Sequence, residues 1–252
     1  PTVAMLLHEA GYQTAFFGKW HLGQGGVSDP AGFDRWSALP NQGKYFDPEI
    51  LEAGGRRTLT GYVTDLLTDM SLDWLRQRDT ERPFFLVCAH KAPNDPFTPH
   101  PRHLHLYADE TIAEPATFFD DHSQRARAAA MNTALVASMQ LKDHLPEPWP
   151  PGLSQSEQKA WNYQSFIKNY LRCIAAIDEN VGRMLAYLDE EGLTEETIVI
   201  YTADHGFFLG DHGWYDKRLM DEQSIRIPLL MRYPRAIAPQ SVRDEMVLNV
   251  DF

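Results

Sequence analysis

The apolar positions of this chain fall into short blocks with two different periods, and the two kinds of block alternate. Residues 2–10 predict a short helix ended by Gly11, a residue suited to a left-handed C-cap. Tyr12 to Phe17 predicts a strand closed by Gly18. From Gly23 to Gly55 no period is sustained, and the glycines and prolines predict loops with short strands. Residues 60–78 carry Val63, Leu66, Leu67, Met70, Trp74 and Leu75 at spacings of three and four, which predicts an amphipathic helix. Pro83 then precedes the unbroken apolar run from Phe84 to Ala89, a strand of the buried type.

Pro93, Pro96, Pro99 and Pro101 predict a rigid irregular loop over 91–102. Residues 122–143 read as helical, until Pro146 to Pro151 break the chain. A long helix is expected over about 156–191, with Tyr170, Leu171, Ile174, Ile177, Val181, Met184, Leu185 and Leu188 on one face and Gly192 at its end. Thr197 to Thr202 is β-branched and gives the clearest strand. There is no internal repeat. Strand, loop, helix and strand in alternation define an α/β protein, and 252 residues suit one large domain spanning 1–252.

Composition narrows the chemistry. A net charge of −12 without a basic stripe excludes a nucleic-acid footprint, so an anionic substrate must be held by a few local cations or a metal. No apolar run approaches the roughly 18–20 residues of a membrane span. Cys88 and Cys173 form neither a Cys-x-x-Cys nor a zinc pattern and read as buried structural thiols. Pro1 is not an initiator residue, and the chain stops without a polar tail. Both ends are expected to be cuts through a larger protein, so the lack of a leader says nothing of compartment.

Three polar clusters follow predicted strands, where α/β proteins gather functional groups. The first is Gly18-Lys19-Trp20-His21-Leu22-Gly23. Its glycines allow a tight loop presenting Lys19 as a compact charge for a tetrahedral anion and His21 as a proton donor; the alternative is a surface loop with an interfacial Trp. The second is Ala203-Asp204-His205-Gly206, a carboxylate and an imidazole that suit a metal, or else a capping Asp beside a solvated His. Lys217 follows beyond a glycine-punctuated loop containing His212. The third, Ala89-His90-Lys91-Ala92-Pro93-Asn94-Asp95-Pro96, has prolines that fix where Asn94 points. His90 and Lys91 are either site residues or structural. His100, His103 and His105 read as mostly solvated.

The run Gly11-Tyr12-Gln13-Thr14-Ala15-Phe16-Phe17-Gly18-Lys19-Trp20-His21-Leu22-Gly23 resembles the second signature of the type I sulfatases, within the alkaline phosphatase-like superfamily. The run from Ile198 to Pro234 resembles the later metal-binding block of that family. Its matching elements are Asp204-His205-Gly206, Leu209-Gly210-Asp211-His212-Gly213, Lys217 and Ile227-Pro228-Leu229, and the segment Ile177 to Arg183 also fits. The elements occur in the family's order over most of the chain.

The resemblance implies a mixed, largely parallel sheet flanked by helices, truncated at both ends. It implies hydrolysis of a sulfate ester on a small molecule or carbohydrate. By the same resemblance Asp204 and His205 match metal ligands, Lys19, His21 and Lys217 contact the sulfate as catalytic groups, and Asn94 and His212 bind substrate. The metal is expected to be Ca²⁺, with Mg²⁺ as the alternative. Calcium prefers oxygen ligands, which makes Asp204 the stronger of the pair.

Two departures stand out. Many members have Pro-His where this chain has Pro93-Asn94, and Asn cannot deliver a proton to the leaving oxygen. The family's nucleophile, a formylglycine made from Cys or Ser in a Cys/Ser-x-Pro/Ala-x-Arg motif, has no match in the 252 residues; it and the Asp-Asp pair that precedes it are expected upstream of Pro1. The rival readings are a phosphodiesterase or phosphonate monoester hydrolase of the same superfamily, and a non-catalytic anion-binding homologue.

Overall fold

The computed structural model describes residues 1–23, 28–139 and 149–251, which divide into two compact units. One comprises Pro1–Ala108 and Asn169–Tyr187, the other Asp109–Lys168 and Leu188–Phe252.

In the first unit, helix α1 (Val3–Glu9) starts on the Thr2 side chain, which accepts from the Met5 amide at 3.2 Å. It ends at Gly11, whose φ of 93° turns the chain so that the Tyr12 amide reaches back to the Leu7 carbonyl at 3.0 Å. Five strands follow: β1 (Gln13–Lys19), β2 (Arg35–Leu39), β3 (Glu49–Glu52), β4 (Gly55–Thr58) and β5 (Phe84–Ala89). They form one mixed sheet in the order β4-β3-β2-β1-β5. β1 lies parallel to both of its neighbours, while β2–β3 and β3–β4 are antiparallel. Helix α2 (Val63–Gln77) packs on β1 and β5 through the predicted apolar stripe. Its Val63 and Leu67 join Ala15, Phe17, Leu39, Ile50, Cys173, Ala176 and Ile177 in the core.

β1 runs through Gly18 rather than stopping before it, because the close approach of β5 requires a residue without a side chain there. A Cβ on Gly18 would stand 1.9 Å from the Ala89 carbonyl oxygen, and its φ is 136°. β5 is half-buried along its length rather than fully buried. Cys173 is buried as expected, whereas Cys88 is partly exposed.

The second unit contains α3 (Arg127–Ala130), a stretch of the long helix α4 (Gln155–Glu190), β6 (Val199–Thr202), β7 (Phe208–Leu209), β8 (Tyr215–Asp216), α5 (Glu222–Ile225) and β9 (Leu229–Arg232). β6 pairs antiparallel with β9, and β7 with β8. Phe118, Val136, Met139, Phe166, Phe208 and Trp214 are fully buried.

The helix expected over 122–143 is not what the described residues adopt. Only Arg127–Ala130 is α-helical and Val136–Ser138 forms one 3-10 turn; residues 140–143, like Pro146, lie outside the described residues. Tertiary contacts override the Ala-rich propensity here. Asn162 on α4 donates to the Val136 carbonyl at 2.8 Å, and the Leu135 backbone bridges Trp214. Among the described residues no helix is long and apolar enough to cross a membrane.

Candidate active site

In the first unit, β1 and β5 are parallel and in register, with Gly18 opposite Ala89. Their carboxyl ends therefore share one edge of the sheet, and the loops carrying Lys19 and His21, and His90, Lys91 and Asn94, leave from that edge. Lys19 is half-buried as the last residue of β1. His21 adopts φ 55°, and its Nε2 lies 3.4 Å from the Gln42 amide nitrogen. Trp20 anchors the same turn by donating to the Ser28 carbonyl at 2.8 Å and packing edge-on against Phe16.

The structure resolves the two readings of His90. Its Nε2 lies 3.1 Å from the Thr68 hydroxyl and 3.5 Å from the Cys88 thiol, so the ring is used up inside the fold. Asn94 differs. Its side-chain oxygen is buried without a hydrogen-bond partner among the described residues, which leaves an acceptor open in this loop.

His100 and His103 are engaged rather than solvated. His100 accepts from the Arg102 amide at 3.1 Å and packs edge-on against Tyr62; His103 approaches Glu179 at 3.1 Å. Arg102 grips Asp65 with two bonds of 2.7 Å and Glu179 at 2.8 Å, tying the end of the loop to α2 and α4. Burial pushes the Asp65 carboxyl up, but hydrogen bonds from Arg102 and Asn180 outweigh it and hold the carboxyl below the ordinary value.

In the second unit, Asp204 and His205 stand just beyond the carboxyl end of β6. Gly206 follows where a Cβ would lie 2.2 Å from the Gln223 carbonyl oxygen, and its amide donates to the Ser224 carbonyl. The His205 Nδ1 is 2.7 Å from the Gly206 carbonyl. A carbonyl only accepts, so Nδ1 is the donor in this contact, which fixes the ring with Nε2 on its far side. That nitrogen is 3.5 Å from the Asp204 carboxylate, whose side chain is 85% exposed.

The imidazole Nε2 and the carboxylate thus face each other from adjacent residues. This donor set fits one side of a divalent metal site. It is short of the six to eight oxygens calcium takes, and among the described residues no group of three or more His, Cys, Asp or Glu could hold a metal.

Lys217, just after β8, is mostly buried; its ammonium lies 3.2 Å from Asp216, which also binds Arg218 at 2.6 Å. Asp216 was not singled out in the sequence, although its adjacency to Lys217 was a usable signal. His212 sits at the tip between β7 and β8 with φ 56°. Its Nδ1 is 2.7 Å from Asp120, Arg125 lies within 2.9 Å of the same nitrogen, and His122 bonds its carbonyl at 2.8 Å. Bonds from His212 and Arg125 hold the Asp120 carboxyl below the ordinary range. No spacing rule marks Asp120, since it meets His212 across 92 residues.

This chain, with its mixed α/β sheet, polar loops at the sheet's carboxyl edge and Asp-His-Gly turn after β6, matches the sulfatase family model along residues 1–252. The chain belongs to the sulfatase family, whose members generally depend on a metal and a formylglycine. An N-acetylglucosamine-6-O-sulfatase of Bacteroides thetaiotaomicron is 37% identical over 294 residues, covering 100% of this chain and 52% of that protein. The N-acetylglucosamine-6-sulfatase of Bos taurus is 27% identical over 99% of this chain and 43% of its own length.

A solved structure of a protein in complex with its substrate D-glucosamine-2-N,6-O-disulfate superposes with a TM-score of 0.88 at 36% identity, over 94% of this chain and 56% of that one. A phosphonate monoester hydrolase from Silicibacter pomeroyi shares the fold, with a TM-score of 0.67 at 20% identity over 93% of this chain and 53% of that one. The chain thus spans about half the length of the curated relatives it matches.

Proposed function

We propose that residues 1–252 belong to one sulfatase-type domain and supply the sulfate-gripping part of an enzyme that hydrolyses a 6-O-sulfate ester on an N-acetylglucosamine-type sugar. The observation that carries this reading is the ordered set of family motifs at strand ends, in a chain 37% identical to an N-acetylglucosamine-6-O-sulfatase. The family's nucleophile motif has no match within the 252 residues, so these residues alone are expected to be inactive.

In the proposed reaction Lys19 and Lys217 neutralise charge that builds on the sulfate oxygens as the S–O bond breaks. Asp216, within 3.2 Å of Lys217, keeps that lysine aimed. His21 donates a hydrogen bond or a proton near the leaving sugar oxygen, a role Asn94 cannot fill. Asn94 and His212 bind substrate, the latter with its ring oriented by Asp120. Asp204 and His205 would hold a divalent cation, Ca²⁺ before Mg²⁺; that cation would supply charge neutralisation on the sulfate, as formylglycine would supply the nucleophile.

The test is sulfate release from N-acetylglucosamine-6-sulfate by the full-length protein, beside a phosphate diester and a phosphonate monoester. Preference for either phosphorus substrate would overturn the reading in favour of the superfamily's other branch. No turnover of any of the three would favour an anion-binding homologue.

A further inference from the structure

We propose that Lys91 and Tyr45 are positioning residues that hold the Asn94 loop in place at the edge of the sheet. The proposal rests on the assignment of Asn94 to the substrate site. The loop after β5 has no strand partner to fix it, so its shape must come from side chains. Lys91 is 2% exposed, an unusual location for an ammonium group. Its Nζ donates to the Asp95 carbonyl at 2.7 Å and lies 4.8 Å from the centre of the Tyr45 ring, within the range of a cation–π contact.

Tyr45 is itself 4% exposed, and its hydroxyl donates to the Asn94 carbonyl at 2.6 Å. Burial pushes its phenol well above the ordinary value, so it remains a donor throughout the working pH range. Tyr62, stacked on Tyr45 at 5.9 Å, donates to the Thr98 carbonyl at 3.1 Å. Three carbonyls of one loop, at 94, 95 and 98, are thus gripped from the core.

An apolar side chain would fill the Lys91 position without the cost of burying a charge. What the lysine adds is a directed bond to the residue after Asn94, combined with contact to the ring that holds Asn94 itself. The side-chain oxygen of Asn94, held by the same loop, is buried and without a hydrogen-bond partner among the described residues. A misplacement of about 1 Å at a substrate-positioning group costs on the order of 10²-fold in rate.

The test compares wild type, Lys91→Met and Tyr45→Phe in the full-length protein by amide hydrogen exchange, and by kcat and KM on N-acetylglucosamine-6-sulfate. Exchange at the Asn94 amide, which bonds the Lys91 carbonyl at 3.1 Å, should rise about tenfold in Lys91→Met while α2 keeps wild-type protection. kcat should fall about 10–100-fold with little change in KM. Tyr45→Phe should move both readouts the same way by less, and it decides the matter if Lys91→Met does not fold.

Unchanged loop exchange overturns the positioning role whether or not the protein turns over. Raised exchange with unchanged kcat overturns it equally. A wild type that releases no sulfate counts against the enzymatic reading alone, because the exchange result still judges the loop.

Discussion

Gly18→Ala is the sharpest test of how the sheet builds the edge that carries Lys19 and His21. The added Cβ would stand 1.9 Å from the Ala89 carbonyl oxygen, roughly 1.4 Å short of the ~3.3 Å at which carbon and oxygen ordinarily meet. The obstacle is backbone in the neighbouring strand, so no side chain can swing aside. The φ of 136° adds a second penalty, since only glycine adopts that region readily.

Held strain of this kind costs about 1–3 kcal/mol and forced overpacking about 1–3 more, giving about 2–6 kcal/mol in all. Against a total stability of about 5–15 kcal/mol, that would lower the melting temperature by roughly 4–24 °C. Urea unfolding followed by tryptophan fluorescence measures it, with an unchanged slope expected if the unfolded state is unaffected. A variant within about 0.5 kcal/mol of wild type would refute the β1–β5 approach described above.

The other predictions follow from the two loops and the ion pairs. Added Ca²⁺ should raise the melting temperature of wild type, by an amount equivalent to about 2.7 kcal/mol at a hundredfold excess over Kd, and should leave Asp204→Asn unmoved; an equal rise in both would remove Asp204 from the metal site. The Asp65 carboxyl has a folded pKa below its unfolded one, so its contribution is complete above about pH 4 and is lost as pH falls through the lower folded value. Arg102→Met should therefore cost roughly 2 kcal/mol near neutral pH and flatten the acid limb of the stability–pH curve, which denaturant melts between pH 2 and 7 would check. Asp216→Asn should lower kcat by about tenfold or more through Lys217, with its melting temperature nearly unchanged; full activity would dissociate Asp216 from that lysine.

The sequence revealed most where local rules are strong. The 3–4 spacing from Val63 to Leu75 and from Tyr170 to Leu188 marks α2 and α4, because a helix that buries one face must repeat at that period. The motif loops were legible because glycine at Gly18 and Gly206 is forced by backbone approach, a demand that survives in sequence. The helix expected over 122–143 misread alanines whose neighbours Val136 and Met139 are buried in irregular chain by distant partners such as Asn162. The site's support was legible least. Arg102 meets Asp65 across 37 residues, Tyr45 meets Asn94 across 49, and His212 meets Asp120 across 92, distances over which no periodicity runs.

The central claim is that these residues grip a sulfate ester on a sugar. The most direct measurement is sulfate released from N-acetylglucosamine-6-sulfate by the full-length protein and its Lys217→Met variant, with folding of both checked by circular dichroism. The account predicts turnover by wild type and a loss on the order of 10²–10³-fold in kcat for the variant. Equal rates in the two folded proteins would contradict it.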